Sequence, residues 1–455
     1  MRGFREFPCK HIALACLLLL AGGASAAPRQ DDDAIARILR QSNDRLPTAP
    51  ARPAPRQGAG PSIGSKPTGP LPMVMSARIG EHADRTRLVI ELSDPVNLRT
   101  FTLANPERVV IDMPQVTWRL GAPPRPSGNG AIKGYRYGLF RAGNSRMVID
   151  LNRPVSVSDA LVIPPASGFG YRVVIDLYPS NPTKFVASAG WPADLKARET
   201  DAERLAALIA APPPSARQGG KRIIVLDPGH GGLDSGTSGV NGLLEKDLVL
   251  AEGLRLSKVL TARGYAVYMT RDSDAFIPLR ERVAIARGDK ADLMISLHAD
   301  SNPDPDVRGL SIYTLSDGRS DREAAALAKR ENQSDIIAGV DLSAENSPVA
   351  PILIDLAQRD TINKSSLFAT NALKRLASAT DILPRSPHRS ASLAVLVAPD
   401  VPAVLIELGY LSNRQDAAQM NTEAWRARVA EAIADSVDRQ FAPRAEAAMR
   451  TAIPQ

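Results

Sequence analysis

Cysteine is nearly missing from this chain. Its 455 residues contain two, Cys9 and Cys16, and both fall in an N-terminal stretch that reads as an export signal. That stretch carries Arg2, Arg5 and Lys10, an apolar run from Ile12 to Ala21, and the small-residue cleavage pattern Ala24-Ser25-Ala26. Once residues 1–26 are removed no disulfide can form, and any metal must be held by His, Asp or Glu. Cys16 invites a lipid-anchor reading, but Ala13-Leu14-Ala15 ahead of it is a poor attachment pattern and the apolar run continues past it. Long apolar runs are missing too: the first is too short for a permanent span, and no later stretch approaches the roughly 20 residues a span requires. No Arg-Arg pair precedes the apolar run, so general secretion is the expected route. No basic cluster is interleaved with aromatics, which argues against a nucleic-acid partner. The formal charge of +7 falls to +5 when three cations and Glu6 leave with the signal; this excess suits an anionic polymer and a solvated basic face equally.

A chain of this length holds two or three domains. Residues 27–72 are crowded with Pro, Gly, Ala, Ser and Arg and read as a disordered tether, with a short helix at 31–41. From 73 to 180 the texture is that of short strands, and it repeats. Leu88-Val89-Ile90-Glu91-Leu92 with Pro95-Val96 recurs as Met147-Val148-Ile149-Asp150-Leu151 with Pro154-Val155, and Arg108-Val109-Val110-Ile111-Asp112 recurs as Arg172-Val173-Val174-Ile175-Asp176. The order is the same in both copies, which predicts a duplicated all-β sandwich with strands half buried and half wet. It carries no catalytic cluster, and His82 stands alone, so this domain should bind and not catalyse. Pro212-Pro213-Pro214 and Gly219-Gly220 mark a linker over 181–220.

From 221 to 441 strand-like and helical runs alternate, the pattern of an α/β domain with a mostly parallel twisted sheet flanked by helices. Expected strands are 222–227, 265–270, 292–297, 309–315, 392–398 and 402–407. Expected helices are 244–262, with Leu248, Ala251 and Leu254 against the sheet, then 279–288, 320–338, 361–378 and 422–440. Residues 442–455 read as a tail.

The chemistry lies at strand ends. His230 stands in the glycine-rich turn Asp227-Pro228-Gly229-His230-Gly231 after the apolar run Ile223-Ile224-Val225-Leu226, and open α/β sheets keep their sites at that edge. His298 follows Leu293-Met294-Ile295-Ser296-Leu297, Glu407 follows Val404-Leu405-Ile406, and Glu245 falls in the first turn of a helix, where the dipole favours a carboxylate. A catalytic zinc keeps three protein ligands and an open position, and His230, Glu245 and His298 supply that set. Glu407 is then the natural base, taking a proton from water and handing it to a leaving amine, which is amide hydrolysis. There is no His-Glu-x-x-His helix, and the glycine turn lacks the Gly-Lys-Ser/Thr ending of a phosphate loop.

Two family resemblances rest on these residues. The duplicated β segment resembles the AMIN domain, a module that in its family targets cell-wall hydrolases to the periplasm and peptidoglycan. Val225-Leu226-Asp227-Pro228-Gly229-His230-Gly231-Gly232, Glu245-Lys246-Asp247, Ser296-Leu297-His298-Ala299-Asp300 and Ile406-Glu407-Leu408-Gly409-Tyr410-Leu411-Ser412-Asn413 resemble the zinc-dependent N-acetylmuramoyl-L-alanine amidases of the AmiA/AmiB/AmiC type over about 220 residues. The resemblance implies zinc on His230, Glu245 and His298, and Glu407 as the catalytic glutamate. It also implies a periplasmic location, peptidoglycan as substrate, and cleavage between the lactyl group of muramic acid and L-alanine during cell separation. In the division amidases an insertion covers the zinc until an activator withdraws it. The same is implied here for about 317–360, with a LytM-domain activator (EnvC- or NlpD-like) and Glu331 as the acidic residue in the open zinc position. A solvated helix residue is the other reading of Glu331. His388 either lines the groove or is structural. Two alternative functions stay open: a wall-binding protein without activity, and a zinc carboxypeptidase or deacetylase with the same ligands.

Overall fold

The computed structural model describes residues 69–120, 130–141, 143–166, 168–192, 220–240, 242–315, 322–338 and 352–442. The expected signal, the 31–41 helix, most of the tether, most of the linker and the tail lie outside them. Residues 182–188 within the expected linker form a helix, α1 (Pro182–Ser188), capped by the Asn181 side chain with proline in its first turn. Among the described residues no helix is long and apolar enough to cross a membrane.

The N-terminal domain is all β: β1 (Met73–Glu81), β2 (Thr86–Leu92), β3 (Arg99–Leu103), β4 (Arg108–Pro114), β5 (Thr117–Trp118), β6 (Ile132–Arg141), β7 (Asn144–Leu151), β8 (Val155–Val157), β9 (Leu161–Ile163) and β10 (Tyr171–Pro179). They form a six-stranded sheet, β5-β1-β2-β10-β8 with β9 beside β10, and a four-stranded sheet, β3-β4-β7-β6. The repeat does not give one sheet per copy. β2 of the first copy pairs with β10 of the second, and β4 of the first with β7 of the second. The ion pairs follow the duplication: Arg87 on Asp176 at 2.7 and 2.7 Å, and Arg146 on Asp112 at 2.6 and 2.8 Å, are the same pair in the two sheets.

The half-wet expectation holds for β2, whose residues alternate between buried and half-buried, but not for β4, which is buried throughout. One face of the four-stranded sheet enters the sandwich core through Val109, Ile111, Met147 and Ile149. The other face places Phe101, Val110 and Val148 in a cluster shared with Leu233 and Phe276 of the C-terminal domain. A sheet covered on both sides loses its polar alternation.

The C-terminal domain has the strand order β12-β11-β13-β16-β14-β15, with β11 (Ile223–Pro228), β12 (Ala266–Met269), β13 (Leu293–His298), β14 (Ser311–Leu315), β15 (His388–Ala391) and β16 (Ala403–Glu407). All pairings are parallel except β14 with β16. Alternate residues face opposite layers. Ile224, Leu226, Ile295 and Ile406 pack under α2 (Glu245–Ala262), α6 (Ile352–Leu376) and α8 (Glu423–Phe441), while Val225, Met294 and Leu405 pack under α3 (Leu279–Gly288) and α4 (Arg322–Glu331). The short helices α5 (Ser334–Ile337) and α7 (Arg414–Met420) complete the described elements.

Three expectations are corrected. The 392–398 strand is absent: β15 ends at Ala391, and Ala394–Leu396 is a 3-10 turn whose Val395 and Leu396 are buried. An apolar run that short demands burial, not a particular backbone. The 320–338 helix is broken at Asn332-Gln333 into α4 and α5. α2 buries Leu248, Val249, Leu256 and Leu260, leaving Ala251 and Leu254 exposed, so its apolar face is rotated from the expected one.

Candidate metal centre

The sheet register brings the site together. β11, β13 and β16 are neighbours in the order β11-β13-β16, with Pro228 beside Leu297 and His298 beside Glu407. Two residues beyond β11, His230 adopts φ +57°, a left-handed conformation uncommon outside glycine. This turns its ring back over the sheet edge. Glycine is required beside it, because a Cβ on Gly229 would lie 2.4 Å from the His298 ring.

Four side chains converge. Glu245 Oε1 lies 3.1 Å from His230 Nε2 and 3.2 Å from His298 Nδ1. Glu331 Oε2 lies 3.1 Å from His298 Nδ1 and 3.5 Å from His230 Nε2. The backbone amides of Ala299 and Thr237 donate to Glu245 at 2.8 and 2.9 Å, fixing its carboxylate. His230 Nε2 is buried and has no hydrogen-bond partner despite these short distances. A buried nitrogen left without one, with carboxylate oxygens gathered around it, has the geometry of a cation site. The charge balance agrees: burial opposes protonation of the imidazoles, yet Glu331 pushes His298 up to about 10, and Glu245 and Asp234 raise His230 well above its usual value. Burial likewise works against the charge on Glu245, but His230 holds it well below the carboxylate range.

Glu407 is fully buried at the end of β16. Asp300 N donates to its Oε2 at 3.0 Å, while Oε1 is buried without a partner. Burial, reinforced by Asp300, raises its carboxyl well above the usual range. His388 is not brought to this cluster: its Nε2 lies 3.2 Å from the Thr314 hydroxyl across the β14–β15 pairing. His82 is exposed in the turn after β1.

The sequence reading missed the second layer. Asp234 lies 2.9 Å from His230 Nδ1 and is drawn, against its burial, down to about 2 by His230. It orients the imidazole so that Nε2 faces the cluster. Arg282 donates to the carbonyls of Pro228 and His230 at 2.9 and 2.8 Å and to Asp227 Oδ1 at 2.7 Å. Arg271 donates to Pro228 and Gly229 at 2.8 and 2.7 Å. Two buried guanidiniums thus hold three successive carbonyls of the histidine turn. An Asp four residues after a His in a glycine turn is a readable signal; two arginines 41 and 52 residues downstream are not.

The α4–α5 segment reaches these residues as well. Arg330 is paired with Asp300, the Ser334 hydroxyl donates to Asp234, and Asp335 accepts from Leu279 N at 3.0 Å.

Residues 224–439 match the family model for N-acetylmuramoyl-L-alanine amidase, and residues 76–177 match the AMIN domain. The chain is 34% identical to N-acetylmuramoyl-L-alanine amidase AmiC of Neisseria meningitidis serogroup B, over 81% of this chain and 90% of that one. To the AmiC of Escherichia coli O6:H1 it is 33% identical, over 89% and 99%. To AmiA of Escherichia coli strain K12 it is 38% identical, over 50% and 79%. With its two matched domains and its similarity to AmiC along most of both chains, this protein belongs to the N-acetylmuramoyl-L-alanine amidase family of cell-wall hydrolases.

Proposed function

We propose that this chain is an exported, periplasmic zinc amidase that hydrolyses the amide between the lactyl group of N-acetylmuramic acid and L-alanine in peptidoglycan, and that its resting form is closed by Glu331. The observation that carries the reading is the meeting of His230 Nε2, His298 Nδ1 and Glu245 Oε1 within 3.2 Å contacts beside a buried, unpartnered Glu407 Oε1. A zinc ion on His230, Glu245 and His298 would supply Lewis acidity toward water and the scissile carbonyl. Asp234 keeps His230 in the tautomer that presents Nε2, and the two amides on Glu245 keep that carboxylate ionised and in place. Glu407 Oε1 takes the proton of the attacking water and delivers it to the departing nitrogen of L-alanine. A carboxyl raised above its usual value is a stronger proton acceptor than an ordinary one, which suits that exchange.

Glu331 supports the closed reading because its Oε2 lies 3.1 Å from His298 Nδ1 and 3.5 Å from His230 Nε2, where it would compete with substrate for the open position of a bound zinc. Withdrawal of α4 by an activator protein of the LytM-domain kind would open it, in keeping with a role in daughter-cell separation. The test is hydrolysis of purified peptidoglycan by the zinc-loaded full chain and by Glu331→Ala, with products identified by mass. Free stem peptides beginning at L-alanine, released at least tenfold faster by the variant, are expected. Shortened stems would point to a carboxypeptidase, and equal rates would end the plug reading.

A further inference from the structure

Residues 336–338, at the C-terminal end of α5, meet the four-stranded sheet of the β-sandwich as well as the catalytic domain. Arg108 donates to the carbonyl of Ile336, Arg136 Nε to that of Ile337 at 2.8 Å, and Arg146 Nη1 to that of Ala338 at 3.4 Å. These are consecutive carbonyls at the C-terminal end of α5, the groups a helix leaves without partners and where cations are favoured. Ala338 itself is fully buried in the cluster that joins Phe101, Val110 and Val148 to Leu233 and Phe276.

Two of the three guanidiniums are also held by carboxylates of the sheet itself. Asp150 takes Arg136 at 2.6 Å, Asp112 takes Arg146, and the Phe140 ring lies 3.6 Å beneath Arg146. The sheet is also seated against the metal-binding turn: a Cβ on Gly138 of β6 would lie 2.4 Å from the backbone of Gly232, and Phe276 N donates to Leu139 O at 3.3 Å. The duplication supplies a comparison. Arg172, Arg87 and Arg78 hold in the six-stranded sheet the positions that Arg108, Arg146 and Arg136 hold in the four-stranded one. There the Arg87–Asp176 pair is 15% and 13% exposed, against 1% and 2% for Arg146–Asp112. Arg78 and Arg172 stack over Phe169. The pair belongs to the repeat; the docked carbonyls belong to one sheet.

We propose that this sheet is the docking surface for residues 336–338 of the same chain, so that the β-sandwich helps hold the plug in the metal site. A ligand or partner that shifts the sandwich would then loosen the plug at its far end. The proposal rests on the reading that Glu331 closes the site.

The experiment uses the full zinc-loaded chain and two readouts: hydrogen exchange of the 330–338 amides, and peptidoglycan hydrolysis without activator. The variants are Arg108→Ala/Arg136→Ala, the repeat-equivalent Arg172→Ala, and Glu331→Ala. Loss of two charged donors should speed exchange and unactivated turnover about tenfold each. Arg172→Ala should change neither. Unchanged exchange in a double variant with parental circular dichroism overturns the docking. Faster exchange with parental turnover, while Glu331→Ala is activated, overturns the link to closure. If Glu331→Ala is not activated, the plug reading fails and the closure claim goes with it, whereas the exchange result still decides whether the sheet holds the segment.

Discussion

Replacing Arg282 should separate the stability of the catalytic domain from the geometry of its metal site. Its side chain is 1% exposed and that of its partner Asp227 is not exposed at all. In Arg282→Met, Asp227 keeps only the hydroxyls of Ser296 and Thr270, each at 2.6 Å. Leaving one member of a buried pair uncompensated costs about 3–5 kcal/mol, and at roughly 2–4 °C per kcal/mol for a domain of this size the melting point should fall by about 10 °C. The pH dependence gives the sign. Burial opposes the charge on Asp227, yet Arg282 and the two hydroxyls hold its carboxyl below the usual value. That stability is therefore present above the unfolded value near 3.9 and is lost as pH falls. In the Met variant burial is opposed by the two hydroxyls only, so the carboxyl rises from its parental value, and the gap to the parent should narrow from pH 7 toward pH 4. Arg282→Lys keeps a charge near Asp227 but cannot also reach the carbonyls of Pro228 and His230. The His230 turn, at a φ that costs a non-glycine residue about 1–2 kcal/mol, is then free to relax, and zinc affinity in a chelator competition should drop about 10- to 100-fold. A Lys variant with parental zinc affinity and activity would refute the reasoning.

Glu407→Gln should bind zinc as the parent does while kcat falls about 10²–10⁴-fold, read as metal content against single-turnover hydrolysis. Asp234→Asn should weaken zinc about 10- to 100-fold, measured by the same competition, with Glu407 chemistry intact once the metal is saturating. Glu252 is buried in α2 with both oxygens unpartnered, and burial pushes its carboxyl up to about 8. A raised acid contributes stability below its unfolded value that is lost as pH climbs to the folded one. Glu252→Gln should therefore match the parent near pH 4 and exceed it by about 2 kcal/mol or more above pH 8 in denaturant titrations.

The meeting of His230, Glu245, His298 and Glu407 was legible because its signals are local: three of them follow an apolar run at the carboxyl edge of a parallel sheet, and Glu245 opens a helix. What stayed hidden depends on distant chain. Arg282 and Arg271 reach the histidine turn only after a helix and a strand have folded between them. The apolar segment 392–398 announced burial correctly but said nothing of backbone form, and it became a 3-10 turn beyond the end of the short strand His388–Ala391. The repeat of the β-sandwich was visible, yet its half-wet pattern failed for β4 because the covering surface comes from another domain. Glu331 stood out only through the resemblance, since nothing in Arg322–Glu331 distinguishes it from a solvated helix end.

The duplicated sandwich presents the same arginine array twice, once inward and once toward solvent. An array committed to three backbone carbonyls is constrained by main-chain atoms, whereas in its copy Arg78 and Arg172 stack over Phe169 and only Arg87 is tied down, by Asp176. The two halves of one repeat can therefore drift at different speeds, with Arg78 and Arg172 open to retuning while Arg108, Arg136 and Arg146 are held in register by the backbone they touch.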